Sequence, residues 1–305
     1  MPVNQANQTS ASTQTADSFL MSPTVDFCFK ELLSYPNVRK GFVAALLHCD
    51  PDSIQSTELM PTILSKENAD SKYGILDVRI RMTNGTQIDL EMQVVPFAFW
   101  EKRILFYLSK MYTEQVKEGD GYQSLKKCMH VSLLNFTHFP DDTEYHHEIA
   151  FCDMHTHQKY TDLFEIHILE LKKLPPEDPD EPLLISWLRF FVATRKDDFE
   201  KMADKDTYIS DAYDVLKKLS ADEQKRLEYE ARQKALLDHN SQVIGYFEAG
   251  VEQGKAFGKE QGRMEGELRY NTLMQLLLDA GRMDDLKKAL SDEDYRRKLF
   301  AEFHL

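Results

Sequence analysis

Apolar and polar residues alternate through residues 75–94, and the alternation predicts a β-hairpin. After Thr83-Asn84-Gly85, apolar residues occupy positions 88, 90, 92 and 94, which is the period of a strand with one buried face. Residues 75–82 alternate in the same way before the turn, and an Asn-Gly pair is typical of a hairpin. We therefore predict two antiparallel strands with one face in the core and the other face polar and acidic.

The register of this hairpin determines whether Asp77 lies beside Glu91. A two-residue turn would place Asp77 opposite Met92, and the two acids would then lie on different faces. A three-residue turn with Gly85 in the left-handed conformation pairs Asp77 with Glu91 and keeps both apolar rows on one face, so we predict this register. Opposed carboxylates, with Cβ atoms about 4.5–5.5 Å apart, either repel each other or bind a cation such as Mg²⁺, which prefers oxygen ligands.

Other segments have the spacing of helices and strands, and together they predict an α/β or mixed α+β fold. Asp26 has the position of an N-cap for a first helix that ends at Tyr35-Pro36. Further helices are predicted over residues 38–48, 99–117, 183–194, 208–219, 222–240 and 271–280. Further strands are predicted over residues 129–136, 146–151 and 164–171, with a short extended piece at 58–64.

Composition narrows the function classes. The formal net charge of −14 argues against a protein that coats nucleic acid through many Lys and Arg contacts, although it permits an acidic-site nuclease. The four cysteines include no Cys-x-x-Cys pair, which favours a reducing, cytoplasmic location. We expect residues 1–23 to be a disordered leader, because they are rich in Ser, Thr, Gln and Asn. We expect no membrane span.

The hairpin resembles the core of PD-(D/E)XK nucleases, and in particular their Rpn branch of recombination-promoting nucleases or putative transposases. In that branch the usual acid-x-Lys becomes acid-x-Gln, as in Glu91-Met92-Gln93. Four more motifs are similar to recurring pieces of the family: Asp26-x-x-Phe29-Lys30, Arg103-x-x-x-Tyr107, Gln115-x-x-x-Gly119-x-x-Tyr122 and Glu170-Leu171-x-Lys173. The resemblance implies a nuclease-like domain with a mixed sheet over residues 24–195, followed by a helical C-terminal region over 196–305.

The resemblance also implies a function, a Mg²⁺-dependent (or Mn²⁺-dependent) DNA endonuclease linked to recombination or mobile DNA. The metal ligands would be Asp77 and Glu91, with Asp26 joining from the first helix. Gln93 would hold the attacking water without the charge of a lysine, so another cation, Arg103 or Lys102, should supply it. Residues expected at the DNA backbone are Arg79, Tyr107 and Lys110.

Several alternatives stay open. Asp26 is either an N-cap or a site residue, and Arg103 either serves the site or pairs with a surface acid. A nuclease fold kept as a catalytically inactive binding or assembly module is the alternative to an active enzyme. The acidic charge, the missing lysine and the long helical tail are all compatible with this second function.

A histidine-rich segment raises the question of a zinc site. It contains His146, His147, Cys152, His155 and His157. The first two are neighbours on a predicted strand and point to opposite faces, while the last two lie in a predicted turn. We therefore expect surface or edge histidines here.

Glycine recurs at every fourth position from Gly250 to Gly266. Glycine inside a helix costs roughly 1 kcal/mol relative to alanine, so the repeat needs a reason. One interpretation is a helix that pairs with another, giving a homo-oligomer through the C-terminal helices, and the other is an exposed connector.

Overall fold

The protein folds as a mixed β-sheet with helices on both faces, followed by a helical C-terminal region. The computed structural model describes residues 19–64 and 74–305. The strands are β1 (Thr57–Met60), β2 (Ile63–Leu64), β3 (Gly74–Ile75), β4 (Val78–Met82), β5 (Gln87–Gln93), β6 (Cys128–Leu134), β7 (His146–Ala150) and β8 (Phe164–Glu170). The helices are α1 (Asp26–Ser34), α2 (Pro36–Leu46), α3 (Trp100–Thr113), α4 (Leu183–Val192), α5 (Lys196–Ala203), α6 (Thr207–Ala221), α7 (Glu223–Asp279), α8 (Met283–Ser291) and α9 (Glu293–Glu302). The predicted fold class is confirmed.

The main sheet has six strands in the order β1-β4-β5-β6-β8-β7. Strand β6 pairs in parallel with β5 and with β8, whereas the other neighbours are antiparallel. Strands β2 and β3 form a separate two-stranded ladder. Helix α3 connects β5 to β6, as a parallel pair requires a long crossover. The edge strands are therefore β1 and β7.

Both faces of the central strands are buried, which explains why their polar residues have little solvent contact. Ile88, Leu90 and Met92 of β5 lie in a large core with α1, α2, α4 and α6. The opposite face of the sheet packs against α3 through Trp100, Ile104 and other apolar residues. The predicted alternation in β5 is confirmed, and its polar face is covered by α3. Acids on that face are therefore inside the protein.

Some predicted boundaries differ from the observed ones. The first hairpin strand is interrupted at residues 76–77, and β4 begins only at Val78. The helices predicted over 222–240 and 271–280 are parts of one continuous helix, α7. The predicted leader lies outside the described residues up to residue 18, whereas Met21 is fully buried and donates its N–H to Ser220 Oγ at 3.0 Å. Residues 19–23 therefore belong to the fold.

The chain divides into two compact units, residues 1–236 and 237–305. Within the first unit, Phe199, Ile209 and Leu216 share the core of the sheet, so helices beyond residue 195 complete the nuclease-like fold. The second unit has its own small core, which contains Leu273 and Leu299. A Cβ added at the repeated glycines 250–266 of α7 would meet no described atom within 4 Å, and pairing with a second chain stays a prediction.

Candidate functional site

The register of the β4–β5 hairpin places Asp77 beside Glu91. Val78 lies opposite Leu90, so Asp77, which precedes Val78, and Glu91, which follows Leu90, are neighbours. Gly85 has a φ of +87°, which is the left-handed conformation that the three-residue turn requires. The predicted turn and register are confirmed. The alternation predicts that Asp77 lies inside a strand, but the structure places it in a bend just before β4.

The Asp77 carboxylate has contacts on both oxygens. Its Oδ2 accepts the backbone N–H of Met92 at 3.3 Å, and its Oδ1 lies 3.0 Å from Lys30 Nζ. The same Lys30 ammonium lies 3.6 Å from Asp26 Oδ2, one turn back along α1. Lys30 therefore bridges Asp26 and Asp77. The sequence motif Asp26-x-x-Phe29-Lys30 includes this lysine but assigns it no role, although its four-residue spacing from Asp26 places both side chains on one helix face.

The Glu91 carboxylate is fully buried and contacts a guanidinium. Arg103 Nη2 lies 3.2 Å from Oε2 and 3.4 Å from Oε1 of Glu91, and Gln93 Nε2 lies 3.5 Å from Oε2. Arg103 also donates from Nε to Tyr107 Oη at 3.1 Å. Its guanidinium lies over the Trp100 ring at 5.2 Å from the centroid. The alternative that Arg103 pairs with a surface acid is wrong, because its partner is an interior carboxylate.

Burial determines the charge state of Glu91. Burial raises the pKa of this carboxyl to about 8; Asp89 and Asp77 also raise the pKa, whereas His130 and Arg103 lower it. Crowding of acids in a low dielectric disfavours the ionised form. A positive charge that entered this group of acids would therefore relieve an existing electrostatic cost.

A buried polar chain extends from the site into the sheet. Asp89 Oδ2 lies 2.6 Å from His130 Nδ1, and His130 Nε2 lies 2.8 Å from Ser132 Oγ. All three residues are fully buried. Burial raises the pKa of Asp89 well above its usual range and lowers the pKa of His130 to about 4. Burial therefore favours the neutral form of both groups, and in that form Asp89 Oδ2 donates to His130 Nδ1 while His130 Nε2 donates to Ser132.

The sequence did not reveal this hydrogen-bonded network of Asp89, His130 and Ser132, because the network depends on which strand lies beside β5. In the parallel ladder Asp89 is the partner of His130, and Glu91 is the partner of Ser132. Asp89 Oδ1 has no hydrogen-bond partner among the described residues. An unpaired carbonyl oxygen of a neutral acid costs less than an unpaired charged oxygen, which agrees with the raised pKa.

Two expected site residues, Asp26 and Arg79, have different surroundings from those predicted. Asp26 is the first residue of α1, not its N-cap, because Val25 has the N-cap position and no side-chain cap is present. Arg79 is 4 % exposed, and its guanidinium donates to Gln87 and to Glu114 at 3.0 Å. A phosphate contact by Arg79 would require these bonds to break.

Two other expected residues lie on α3. Tyr107 is buried, with its hydroxyl facing Arg103, and Lys110 follows one turn later on the same helix. Lys102, the other cation considered, lies 5.1 Å from the centroid of the exposed Phe99 ring. Of these cations, Arg103 is the one that contacts a site carboxylate.

The remaining motifs have structural roles around the site. The Gln115 amide bonds both backbone groups of Lys126 and thereby fixes the loop before β6. Glu170 accepts the backbone N–H of His138 at 2.6 Å, and its Oε2 lies 2.8 Å from Lys173 Nζ. Each motif therefore joins segments that are distant in sequence.

Asp77 and Glu91 are suitable ligands for a hard divalent cation. Both are carboxylates, which hard cations prefer, and they lie on neighbouring backbone segments, where the Asp77 carboxylate accepts the amide of Met92 next to Glu91. Within the described part of the chain, the groups of three His, Cys, Asp or Glu ligand atoms within 4.8 Å of one another do not include Asp26, Asp77 and Glu91 together. An ion here would rest on two side chains, with backbone oxygens or waters completing its shell.

The chain matches a family model described as PD-(D/E)XK nuclease family transposase, over residues 23–245. No curated protein and no solved structure matches it. Among the residues that the structure describes, no helix is long and apolar enough to cross a membrane. The family match covers well over half of the 305 residues and includes both acids, the sheet and α3. The chain therefore belongs to the PD-(D/E)XK nuclease family transposases.

Proposed function

We propose that the protein is a Mg²⁺-dependent (or Mn²⁺-dependent) endonuclease that hydrolyses phosphodiester bonds of DNA, in a recombination or transposition setting. Family membership supports nuclease chemistry. The assignment of DNA as substrate follows from the family description, and the assignment to the Rpn branch rests on Glu91-x-Gln93. Both stay predictions until activity is measured.

The proposal rests mainly on the convergence of Asp77 and Glu91. The Asp77 carboxylate accepts the amide of Met92, the residue next to Glu91, at 3.3 Å. Two acids held this close in a largely buried setting are costly unless a cation offsets them. When bound, the ion would lower the pKa of a water and offset charge on the phosphate oxygens.

Side chains of this protein would supply the rest of the chemistry. The Gln93 amide, half-buried beside Glu91, would orient the water but would bring no charge. Arg103 and Lys30 already lie against the two acids, and either cation could turn to a phosphate oxygen when the acids bind an ion. We propose that Asp26 acts by positioning Lys30, because it contacts that ammonium and not the other acids.

The surface beside Arg103 would receive the DNA strand. Phe97 and Phe99 are 55 % and 70 % exposed, and together with Lys102 and Phe106 they line an open cavity next to Arg103. Lys102, and Lys110 further along α3, would contact phosphates, while Tyr107 would hold Arg103 in place through its hydroxyl. This arrangement joins positive charge to exposed aromatic rings, a combination that suits nucleic acid.

Nicking of supercoiled plasmid in Mg²⁺ tests the proposal. We expect Asp77→Asn and Glu91→Gln to reduce nicking by at least 100-fold, because each substitution keeps the side-chain shape and removes a charged ligand. Glu58→Gln is the matched control, since Glu58 is an exposed carboxylate that pairs with Arg81 on the sheet edge. Equal nicking by all four proteins would assign the activity to a contaminant and refute the proposal.

One observation favours the alternative of an inactive binding or assembly module. Lys30 lies against Asp77 and Arg103 lies against Glu91, so side chains of this protein already hold the positions beside both acids, as they would in a site kept for stability. Under this alternative, the wild type would not nick DNA or RNA in Mg²⁺ or Mn²⁺. Calorimetry would also detect no Mg²⁺ binding that depends on Asp77 and Glu91.

A further inference from the structure

A second group of potential ligands lies at the opposite face of the sheet, near the β7 edge. His146 and His147 point to opposite sides of β7, as expected from their adjacent positions. His146 is the ladder partner of Leu169, which belongs to the core on the α2 side. The zinc set considered from the sequence therefore does not converge, but His146 meets two other potential ligands.

These potential ligands are His48, which follows α2, and Glu148, two residues along β7. One ligand atom from each of His48, His146 and Glu148 lies within 4.8 Å of the others. His146 Nε2, the nitrogen that contacts His167, is 3.9 Å from Glu148 Oε1, so the imidazole lies beside this carboxylate. Ligands of a tetrahedral Zn²⁺ are separated by about 3.3 Å, given its bond lengths. His48 and Glu148 are exposed, so rotation of their side chains would bring their ligand atoms towards Nδ1 of His146.

The buried His167 provides a second observation. His167 Nδ1 lies 2.9 Å from His146 Nε2, and His167 is 4 % exposed. Its other nitrogen, Nε2, is buried and has no hydrogen-bond partner among the described residues. Two neutral imidazoles share one proton in such a bond. If His146 donates from Nε2, its Nδ1 presents a lone pair for a metal ion, and a histidine ligand normally donates its other N–H to a fixed acceptor in this way.

The backbone also holds the group in place. His146 and Glu148 point to the same face of β7, and Glu148 is the ladder partner of His167. His48 has a φ of +50°, an uncommon conformation for a residue with a side chain. It lies two residues beyond the end of α2, where the partial negative charge of the helix terminus favours a cation.

A second group of three potential ligands differs from the first because a lysine already contacts its carboxylates. Asp142, His147 and Glu170 are also within 4.8 Å of one another. The Lys173 ammonium lies 2.7 Å from Asp142 and 2.8 Å from Glu170, so a cation is already built into that triad. Within residues 19–64 and 74–305, Glu148 forms no ion pair with a lysine or an arginine, and its ionisable neighbour is His146.

We propose that His48, His146 and Glu148 bind a divalent transition-metal ion such as Zn²⁺, and that His167 is a positioning residue that orients His146. Two imidazoles and one carboxylate form a donor set that suits Zn²⁺ and leaves a fourth position for water. The ion would join the end of α2 to the edge strand β7. It would lie on the face of the sheet opposite α3, and its binding does not depend on the Asp77–Glu91 site.

Titration of tag-free, metal-stripped protein with Zn²⁺ alone, followed by calorimetry, tests this proposal. We expect one Zn²⁺ per chain, with affinity reduced at least 100-fold in His48→Ala and in Glu148→Gln. His155→Ala is the matched control, because His155 is an exposed histidine outside the group. Glu91→Gln should also bind Zn²⁺ normally, which separates this site from the proposed nuclease site.

Two further measurements keep the test decisive. We expect His167→Asn to weaken Zn²⁺ binding about tenfold, the scale for a partner of a metal ligand, and to change the visible spectrum of the Co²⁺-substituted protein. Zn²⁺ should raise the unfolding temperature of the wild type but not that of His48→Ala. If His48→Ala and His155→Ala bind Zn²⁺ alike, or if the wild type binds none, the proposal is wrong.

Discussion

Glu91→Gln should make the protein more stable while it abolishes activity. Burial raises the pKa of Glu91 from 4.5 to about 8, so between these pH values the folded state holds a proton that the unfolded chain has released. Stability is therefore lost as pH rises from 4.5 towards 8, by about 1.4 kcal/mol per pH unit. Glutamine has a similar shape and releases no proton. At pH 7 we expect a gain of about 3 kcal/mol in the free energy of unfolding.

Urea unfolding of both proteins at several pH values provides the measurement. Both tryptophans, Trp100 and Trp187, are buried in the first unit, so their fluorescence follows the unit that contains Glu91. The gain should grow from pH 5 to pH 8 and vanish near pH 4.5. Glu58→Gln should show no such trend, because that carboxylate is exposed. A Glu91→Gln protein that is less stable than wild type at pH 7, or a gain independent of pH, would refute the reasoning.

Three further predictions follow from the same contacts. Mg²⁺ affinity, measured by calorimetry, should rise about tenfold per pH unit from pH 6 to 8 and then level off, because Glu91 must release its proton to bind the ion; a flat profile would contradict this. The Lys30→Gln protein should bind Mg²⁺ more tightly, since the substitution removes a cation that competes for Asp77. It should also nick DNA more slowly, because the proposed contact of Lys30 with a phosphate oxygen is lost. Faster nicking together with tighter Mg²⁺ binding would show that Lys30 only competes with the ion. Asp89→Asn should unfold within about 1 kcal/mol of wild type at pH 7, because a neutral acid is replaced by a neutral amide, whereas Asp89→Ala should lose about 2–3 kcal/mol; equal losses in urea melts would show that the carboxyl is ionised.

The hairpin could be predicted because local rules determine it. The apolar parity of β5, Gly85 in the turn and the need for one apolar face leave a single register, and the structure has it. The broken first strand could not be predicted, since Leu76 and Asp77 continue the alternation perfectly well. The strand ends there because Leu76 donates its N–H to Thr62 in a neighbouring segment, a contact between distant residues.

The residues missed at the site share this non-local origin. His130 and Ser132 lie in a stretch that reads as a simple buried strand, and their role depends on the parallel pairing of β6 with β5. Lys30 was within reach of sequence reasoning, because its motif places it one turn after Asp26. The burial of Arg79 could not be predicted, since a cation on a polar strand face looks exposed until α3 covers it.

The interruption before β4 gives the two acids unequal stiffness. Glu91 lies within β5 and is held in the parallel ladder opposite Ser132 of β6, whereas Asp77 lies where the backbone leaves the ladder and contacts one amide and one lysine. When an ion binds, Glu91 would therefore keep its position and Asp77 would move towards the ion. Substrate-dependent adjustment of such a centre would be carried by the bend at Asp77, and the sheet would not need to move.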